Sequence, residues 1–154
     1  MNPDFMKIAV AEARRGLRRG EGGPFGAVVV IGGEAVARGH NRVVVSHDPT
    51  AHAEIVALRK ASRRLGRFDL SDAELYTTCE PCPMCLGAIH WARIKRIYFG
   101  CTSADAARAG FDDKAFFDSL RRVGRIRVKA VPLLRPECLP LFREWNSCPG
   151  RVRY

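Results

Sequence analysis

Two short stretches of the chain carry metal-binding side chains at a spacing that constrains the fold. His52-Ala53-Glu54 supplies an imidazole and a carboxylate, and Pro81-Cys82-Pro83-Met84-Cys85 supplies two thiols. One imidazole and two thiolates leave the fourth position of a tetrahedral Zn²⁺ open, as in catalytic zinc sites. Zinc in such a site lowers the pKa of bound water towards neutrality. The pattern predicts one zinc ion bound by His52, Cys82 and Cys85, with Glu54 beside it as a proton carrier.

Each half of this pattern also has an interpretation that involves no catalytic zinc. A lone H-x-E is common on solvated helices, and a lone C-x-x-C can be redox-active or half of a four-cysteine zinc site. Cys79 and Cys82 have the same spacing as Cys82 and Cys85. We favour the second pair because the prolines around Cys82 indicate a helix start, where thiolates are stabilised. Cys79 is then expected to be a buried apolar side chain.

The composition is that of one globular domain, residues 1–154. The sequence is 47% hydrophobic, and a chain of this length buries about two thirds of its unfolded surface. The N-terminus lacks the basic and apolar pattern of a secretory signal. No run approaches the roughly twenty apolar residues that span a bilayer. We therefore expect a cytoplasmic protein with reduced cysteines and no membrane partner.

The basic charge raises the question of a nucleic-acid partner. A formal net charge of +10 would suit one, because Lys and Arg neutralise phosphates. The arginine pairs, however, are spread along different predicted elements without interleaved aromatic residues. We expect a solvated basic surface, and nucleic-acid binding is the less favoured interpretation.

Helical spacing predicts an N-terminal helix. Asn2 is its expected cap, and Pro3 occupies the first helical position. The apolar stripe includes Leu17, whereas Glu12 falls on the opposite, solvent-facing side.

Two further helices are expected to carry the metal-binding motifs. The first has Thr50 as its cap, holds His52 and Glu54 in its first turn and ends at Gly66. The second follows the cysteine segment and covers residues 83–93. The segment 43–50 and the segment after Cys101 are expected to be loops.

Five β-rich runs alternate with these helices, which indicates a three-layer α/β/α sandwich with a mixed sheet. Phe25, before the first strand, could be core or a lid on a planar substrate. Asn41, at the end of the first hairpin, could form a turn or read a base edge with its amide. The expected strands are 26–31, 34–42, 74–78, 94–100 and 125–133.

The combined motifs resemble those of the cytidine deaminase-like superfamily, and within it the bacterial guanine deaminases. The metal motif is specific for the superfamily only, whereas Ala109-Gly-Phe-Asp-Asp113 and Tyr154 point to guanine. The matching segments are 23–27, Asn41, 46–54, 79–89, 91–93 and 109–113.

This resemblance implies a homodimer in which the C-terminal segment, about residues 134–154, is exchanged between subunits. Asp113 and Tyr154 would then complete the site of the partner chain. The resemblance also implies that the substrate is a small purine. Asn41 and Asp113 would hydrogen-bond it, Phe25 and Trp91 would wall its ring, and Ala53 would contact it.

The implied reaction is hydrolytic deamination of guanine to xanthine and ammonia. Water attacks C2, while Glu54 protonates N3 and then passes a proton to the departing amine. Such general acid–base catalysis typically raises the reaction rate about 10²–10⁴-fold. His90 stands where guanine deaminases usually have tyrosine, so guanosine and aminotriazines remain alternative substrates. Adenosine in tRNA is less expected, because residues 109–113 resemble the free-purine group. A non-catalytic zinc module would need a fourth ligand, which the sequence does not obviously supply.

Overall fold

We analysed a computed structural model, which describes residues 2–111 and 117–118 of the chain. Nine elements occur in this part. They are α1 (Pro3–Arg18), β1 (Gly26–Ile31), β2 (Glu34–His40), α2 (Val43–Ser46), α3 (Ala53–Leu65), β3 (Ala73–Cys79), α4 (Pro83–Trp91), β4 (Arg96–Cys101) and α5 (Ser103–Arg108).

The four strands form one mixed sheet in the order β2-β1-β3-β4. β1 pairs antiparallel with both β2 and β3, whereas β3 and β4 are parallel. The expected α/β fold with a mixed sheet is confirmed, and four of the five predicted strands are present in the described residues. The fifth, at 125–133, and the segment 134–154 lie outside them.

Side chains of β1 alternate between two cores, because successive residues of a strand point to opposite faces. Val28 and Val30 pack with Ala9 of α1, whereas Ala27 and Val29 pack with α3 and α4 on the other face. Both faces of the sheet are therefore covered, which explains the continuous apolar run of β1. Within the described residues, no helix combines the length and hydropathy needed to cross a bilayer.

The first helix begins as predicted but presents a different face. Asn2 Oδ1 accepts a hydrogen bond from the Asp4 backbone N–H at 2.9 Å, which confirms the cap. Leu17, however, is 54% exposed, and Glu12 is only 5% exposed. The assignment of Leu17 to the core and Glu12 to solvent was therefore wrong. Glu12 can be buried because its Oε2 has a hydrogen-bond partner in the ring of His40 on β2, with His40 Nδ1 at 3.1 Å.

The helix α3 starts later than predicted, with His52 rather than Thr50 as its cap. The Thr50 backbone N–H and hydroxyl both donate to Asp48 Oδ1, at 2.8 and 2.7 Å. The threonine therefore closes a turn before the helix instead of capping it. Gly66 ends α3 with a φ of 64°, as expected.

Two predicted loops contain short helices. α2 occupies residues 43–46, and α5 follows Cys101 with a capping box between Thr102 and Asp105. Thr102 and Asp105 have the spacing of that motif, so the sequence held a signal for α5. β2 also ends at His40 and α4 at Trp91, each two residues earlier than expected.

Close approach between α3 and the sheet depends on Gly39. A Cβ at this position would lie 2.7 Å from the Ala53 carbonyl oxygen and 2.8 Å from the Ala57 nitrogen. Such distances are too short for a side chain. The bare backbone of β2 thus sets the position of the first turn of α3, which follows His52 directly.

Candidate metal centre

The three predicted zinc ligands come from the starts of two helices. His52 caps α3, and Cys82 caps α4 with Pro83 at its first position. Cys85 lies in the first turn of α4 and is fully buried. The positive ends of two helix dipoles therefore meet at this site, where they favour thiolates.

The geometry of the three side chains fits zinc. His52 Nδ1 lies 3.6 Å from Sγ of Cys82 and 3.6 Å from Sγ of Cys85. All three donor atoms are within 4.8 Å of one another. Nitrogen and sulfur ligands at their usual distances from a tetrahedral zinc would be about 3.6 Å apart. The donor set and the spacing both suit Zn²⁺.

The two thiols do not titrate alike. A hydrogen bond from Cys85, together with His52, holds the pKa of Cys82 well below its usual range. The same hydrogen bond, with burial, raises the pKa of Cys85. Zinc takes both cysteines as thiolates, so metal binding releases any proton that the pair retains.

Glu54 lies directly beside these donors and is 6% exposed. Its Oε1 accepts a hydrogen bond from Thr77 Oγ1 at 3.3 Å, and its Oε2 is 3.5 Å from Cys85 Sγ. Burial raises the pKa of this carboxyl. A carboxyl that takes up a proton more readily than usual is suited to general acid–base catalysis.

A cavity of about 270 Å³ opens next to these groups. It is smaller than the roughly 300–1,000 Å³ of typical drug-sized pockets, so it suits one small ring system. Five predicted site residues line it, namely Phe25, Asn41, His52, Glu54 and Cys82.

Asn41 has the turn-forming role, one of the two considered from the sequence, and its reading of a base edge stays a prediction. It is 6% exposed, and its Oδ1 accepts hydrogen bonds from the backbone N–H groups of Gly23 at 3.2 Å and Val43 at 3.1 Å. The acceptor end of the amide is therefore used in a turn. In the described part of the chain, its Nδ2 has no hydrogen-bond partner, so the donor end is available in the cavity.

Sequence analysis missed several residues of the cavity wall. Phe111 packs edge-on against Phe25, with ring centroids 4.8 Å apart and an angle of 74°. Its place in the 109–113 motif was the available signal. Glu80 also lines the cavity and accepts a hydrogen bond from the Ser103 backbone N–H at 2.9 Å. Cys79 is buried as predicted, yet it too contributes to the wall.

The remaining predicted substrate contacts are not brought to this cavity by the described residues. Trp91 is 58% exposed and lines a separate groove with Phe68 and residues of α3. The Ala53 side chain is fully buried in the core, so any substrate contact would use its backbone. Asp113 and Tyr154 lie outside the described residues. The roles of these four residues stay predictions.

The fold is a mixed sheet with helices on both faces. One histidine and two cysteines lie at the starts of two helices, beside a buried glutamate. Together these features define the class of zinc-dependent deaminases. Residues 2–101 match the family described as the cytidine and deoxycytidylate deaminase zinc-binding region. The chain belongs to this family, which confirms the expected zinc-binding domain and its hydrolytic deaminase class.

Similarity extends over the whole chain for guanine deaminases. The guanine deaminase of Bacillus subtilis is 45% identical over 151 residues, which are 97% of each chain. A crystal structure of guanine deaminase from that organism has a TM-score of 0.90 and 46% identity, and the match covers 100% of this chain and 99% of the other. A guanine deaminase structure from Nitrosomonas europaea has a TM-score of 0.70 and 32% identity, covering 96% and 86%.

Similarity to tRNA-editing enzymes covers less of the chain. The tRNA-specific adenosine deaminase of Agrobacterium fabrum is 49% identical over 96 residues, 62% of each chain. The resemblance to guanine deaminases that the motifs indicated is confirmed by the longer match.

Proposed function

We propose that this protein catalyses the hydrolytic deamination of guanine to xanthine and ammonia. The observation that carries this proposal is the similarity to guanine deaminases along the full chain. The small cavity beside the metal centre agrees with it, because a free purine base is a single compact ring system.

We assign the chemistry to four residues. His52, Cys82 and Cys85 would hold zinc, which supplies the Lewis acidity that makes water nucleophilic near neutral pH. Glu54 would carry the proton, first to ring nitrogen N3 and then to the amine that leaves from C2. Its burial and raised pKa support this role.

Substrate orientation would depend on the walls of the cavity. Phe25, supported by Phe111, would stack against the purine. The Asn41 amide would donate from Nδ2 to a purine acceptor, because its Oδ1 is already occupied. Trp91, Asp113, Tyr154 and a backbone group of Ala53 complete the proposed contacts on the strength of the resemblance.

We further propose one domain over residues 1–154, with a fifth strand at 125–133, that assembles as a homodimer in the cytoplasm. Residues 134–154 would be exchanged, so that Asp113 and Tyr154 serve the partner's site. Light scattering of the intact protein would test the dimer.

The proposed substrate is tested by measuring ammonia release from guanine, guanosine, adenine and cytosine with the zinc-loaded protein. Guanine should have the highest kcat/KM of the four. A clear preference for guanosine would contradict the choice of a free base, and it would direct attention to His90. Release from none of the four would contradict the proposed function.

Adenosine in tRNA is the second candidate. The match to a tRNA-specific adenosine deaminase over 96 residues and the net charge of +10 favour it. Salt-dependent tRNA binding with inosine formation, in a protein inactive on guanine, would establish it instead.

A further inference from the structure

A buried histidine with two carboxylate partners lies next to the candidate site. His40, the last residue of β2, is 3% exposed. Its Nδ1 is 3.1 Å from Glu12 Oε2, and its Nε2 is 2.7 Å from Glu21 Oε2. Ionised carboxylates can only accept hydrogen bonds. The ring is therefore held between two acceptors, one beside each ring nitrogen.

Arginine side chains balance the two carboxylates. Burial alone would raise the pKa of Glu12, but the His40 hydrogen bond and nearby cations lower it. The His40 hydrogen bond is also the main cause of the lowered pKa of Glu21. The cations around the pair are Arg15, Arg38, Arg19 and Arg42. The arginines thus balance the negative charge of the two carboxylates. Apolar side chains at this place would avoid the free-energy cost of burying charged groups.

The cluster joins three elements at the edge of the cavity. Glu12 belongs to α1, His40 to β2, and Glu21 to the loop 19–25 that leads into β1. On α1, Gly16 leaves room for the His40 ring, because a Cβ there would be 2.5 Å from its Cδ2. The His40 ring therefore fills the space between helix and strand, and its Nε2 reaches the carboxylate of Glu21 in the loop.

The same loop carries part of the cavity wall. Its Gly23 N–H donates to Asn41 Oδ1 at 3.2 Å, and its Phe25 carbonyl accepts from the Asn41 N–H at 3.0 Å. The Glu21 carbonyl accepts from the Val45 N–H at 3.1 Å. Asn41 follows His40 directly, so the hydrogen bond to Glu21 holds the loop at a point next to these contacts.

We propose that His40 is a positioning residue, which clamps the loop 19–25 onto Asn41 through Glu21 and thereby sets the affinity of the cavity for its base. This inference rests on the proposed function, because it assumes that Phe25 and Asn41 contact the substrate. His40 does not touch the reacting atoms, so its loss should act on binding and not on the chemical step.

The test uses Glu21→Ala, which removes the carboxylate partner of His40 in the loop, and Glu21→Gln, which keeps an acceptor for His40. Guanine binding is measured by calorimetry in zinc-loaded protein that also carries Glu54→Gln and therefore does not consume the ligand. Glu21→Ala loses the contacts with both His40 and Arg42, and its Kd should rise about tenfold. Glu21→Gln should stay within about threefold of the parent, since a neutral amide still accepts.

Kinetics and controls separate positioning from general stability. With Glu54 intact, Glu21→Ala should raise KM while kcat stays within about twofold, the pattern of lost uniform binding. His40→Gln, if it folds, should act in the same direction. Glu74→Gln is the matched control, because Glu74 pairs with Arg96 outside the cavity wall, and it should leave Kd and KM unchanged.

The proposal is overturned if Glu21→Ala lowers the Tm but leaves both Kd and KM at the parent values. It is also overturned if Glu21→Gln is as weak as Glu21→Ala, since the retained acceptor should rescue binding. A parent that deaminates another base would refute only the proposed substrate. The same KM comparison on that base would then decide the role of His40.

Discussion

Thr77 orients Glu54 from the middle of β3. The Thr77 hydroxyl donates to Glu54 Oε1 at 3.3 Å, and both side chains are buried. Glu54 Oε2 is left 3.5 Å from Cys85 Sγ. One oxygen of the carboxyl is therefore held by the sheet, while the other remains beside the metal centre.

The Thr77→Val variant should keep its zinc and lose activity. Valine preserves the shape of threonine but cannot donate to Glu54, so the carboxyl loses one restraint. We expect kcat to fall up to about tenfold, with metal content measured on the same sample. Thr78→Val is the control, because the Thr78 hydroxyl accepts from the Gly26 N–H instead. An unchanged kcat in Thr77→Val would contradict the orienting role.

The Glu54→Gln variant should bind zinc and release almost no ammonia. The amide cannot take up and return a proton, so we expect kcat to fall at least about 10²-fold. Glu74→Gln is the matched control, since Glu74 pairs with Arg96 outside the cavity wall. An active Glu54→Gln enzyme would refute the proton-carrier assignment.

Zinc content distinguishes the cysteines. Cys85→Ser removes a fully buried donor of the centre, and we expect the purified variant to hold far less zinc by metal analysis. Cys101→Ser, at an exposed cysteine, should keep one zinc per chain. Cys79→Ser should keep it as well, and loss of zinc there would mean that the first C-x-x-C pair binds the metal.

The Asn41→Asp variant separates the two ends of the amide. A carboxylate still accepts from Gly23 and Val43, but the donor end is lost. We expect KM for guanine to rise about tenfold with little change in Tm. Asn41→Ala, which loses both ends, should in addition lower the Tm. A normal KM in Asn41→Asp would exclude Nδ2 as the substrate contact.

Acid should weaken the contribution of Glu12 to stability. Its folded-state pKa is lowered from the ordinary 4.5, so its stabilising effect is present above that value and is lost as the pH falls through the lowered pKa. Glu12→Gln should therefore be less stable than the parent near neutral pH, and the difference should shrink in more acidic buffer. Urea unfolding across this range measures it, and a constant difference would contradict the linkage.

Local signals made the metal centre predictable, whereas the charged cluster needed the fold. The prolines around Cys82 fix a helix start within a few residues, so the thiols could be placed from sequence. Burial of Glu12 depends on His40 of β2, a partner remote in sequence. Helical periodicity alone assigned Glu12 to the solvent-facing side, because no residue near it in the sequence indicates His40 as its partner. Thr50 failed as a cap for a related reason, since Asp48 competes for its N–H and hydroxyl.

Gly39 is a further position at which substitution should impair the reaction. It binds neither metal nor base, yet any side chain there would collide with Ala53 and Ala57 at the start of α3. Such a collision would push His52 and Glu54 away from the cysteines of α4. In a saturation-mutagenesis screen for activity, this position should tolerate substitution as poorly as a ligand. Gly39 carries no reactive group, and it contributes to the site only because it lacks a Cβ.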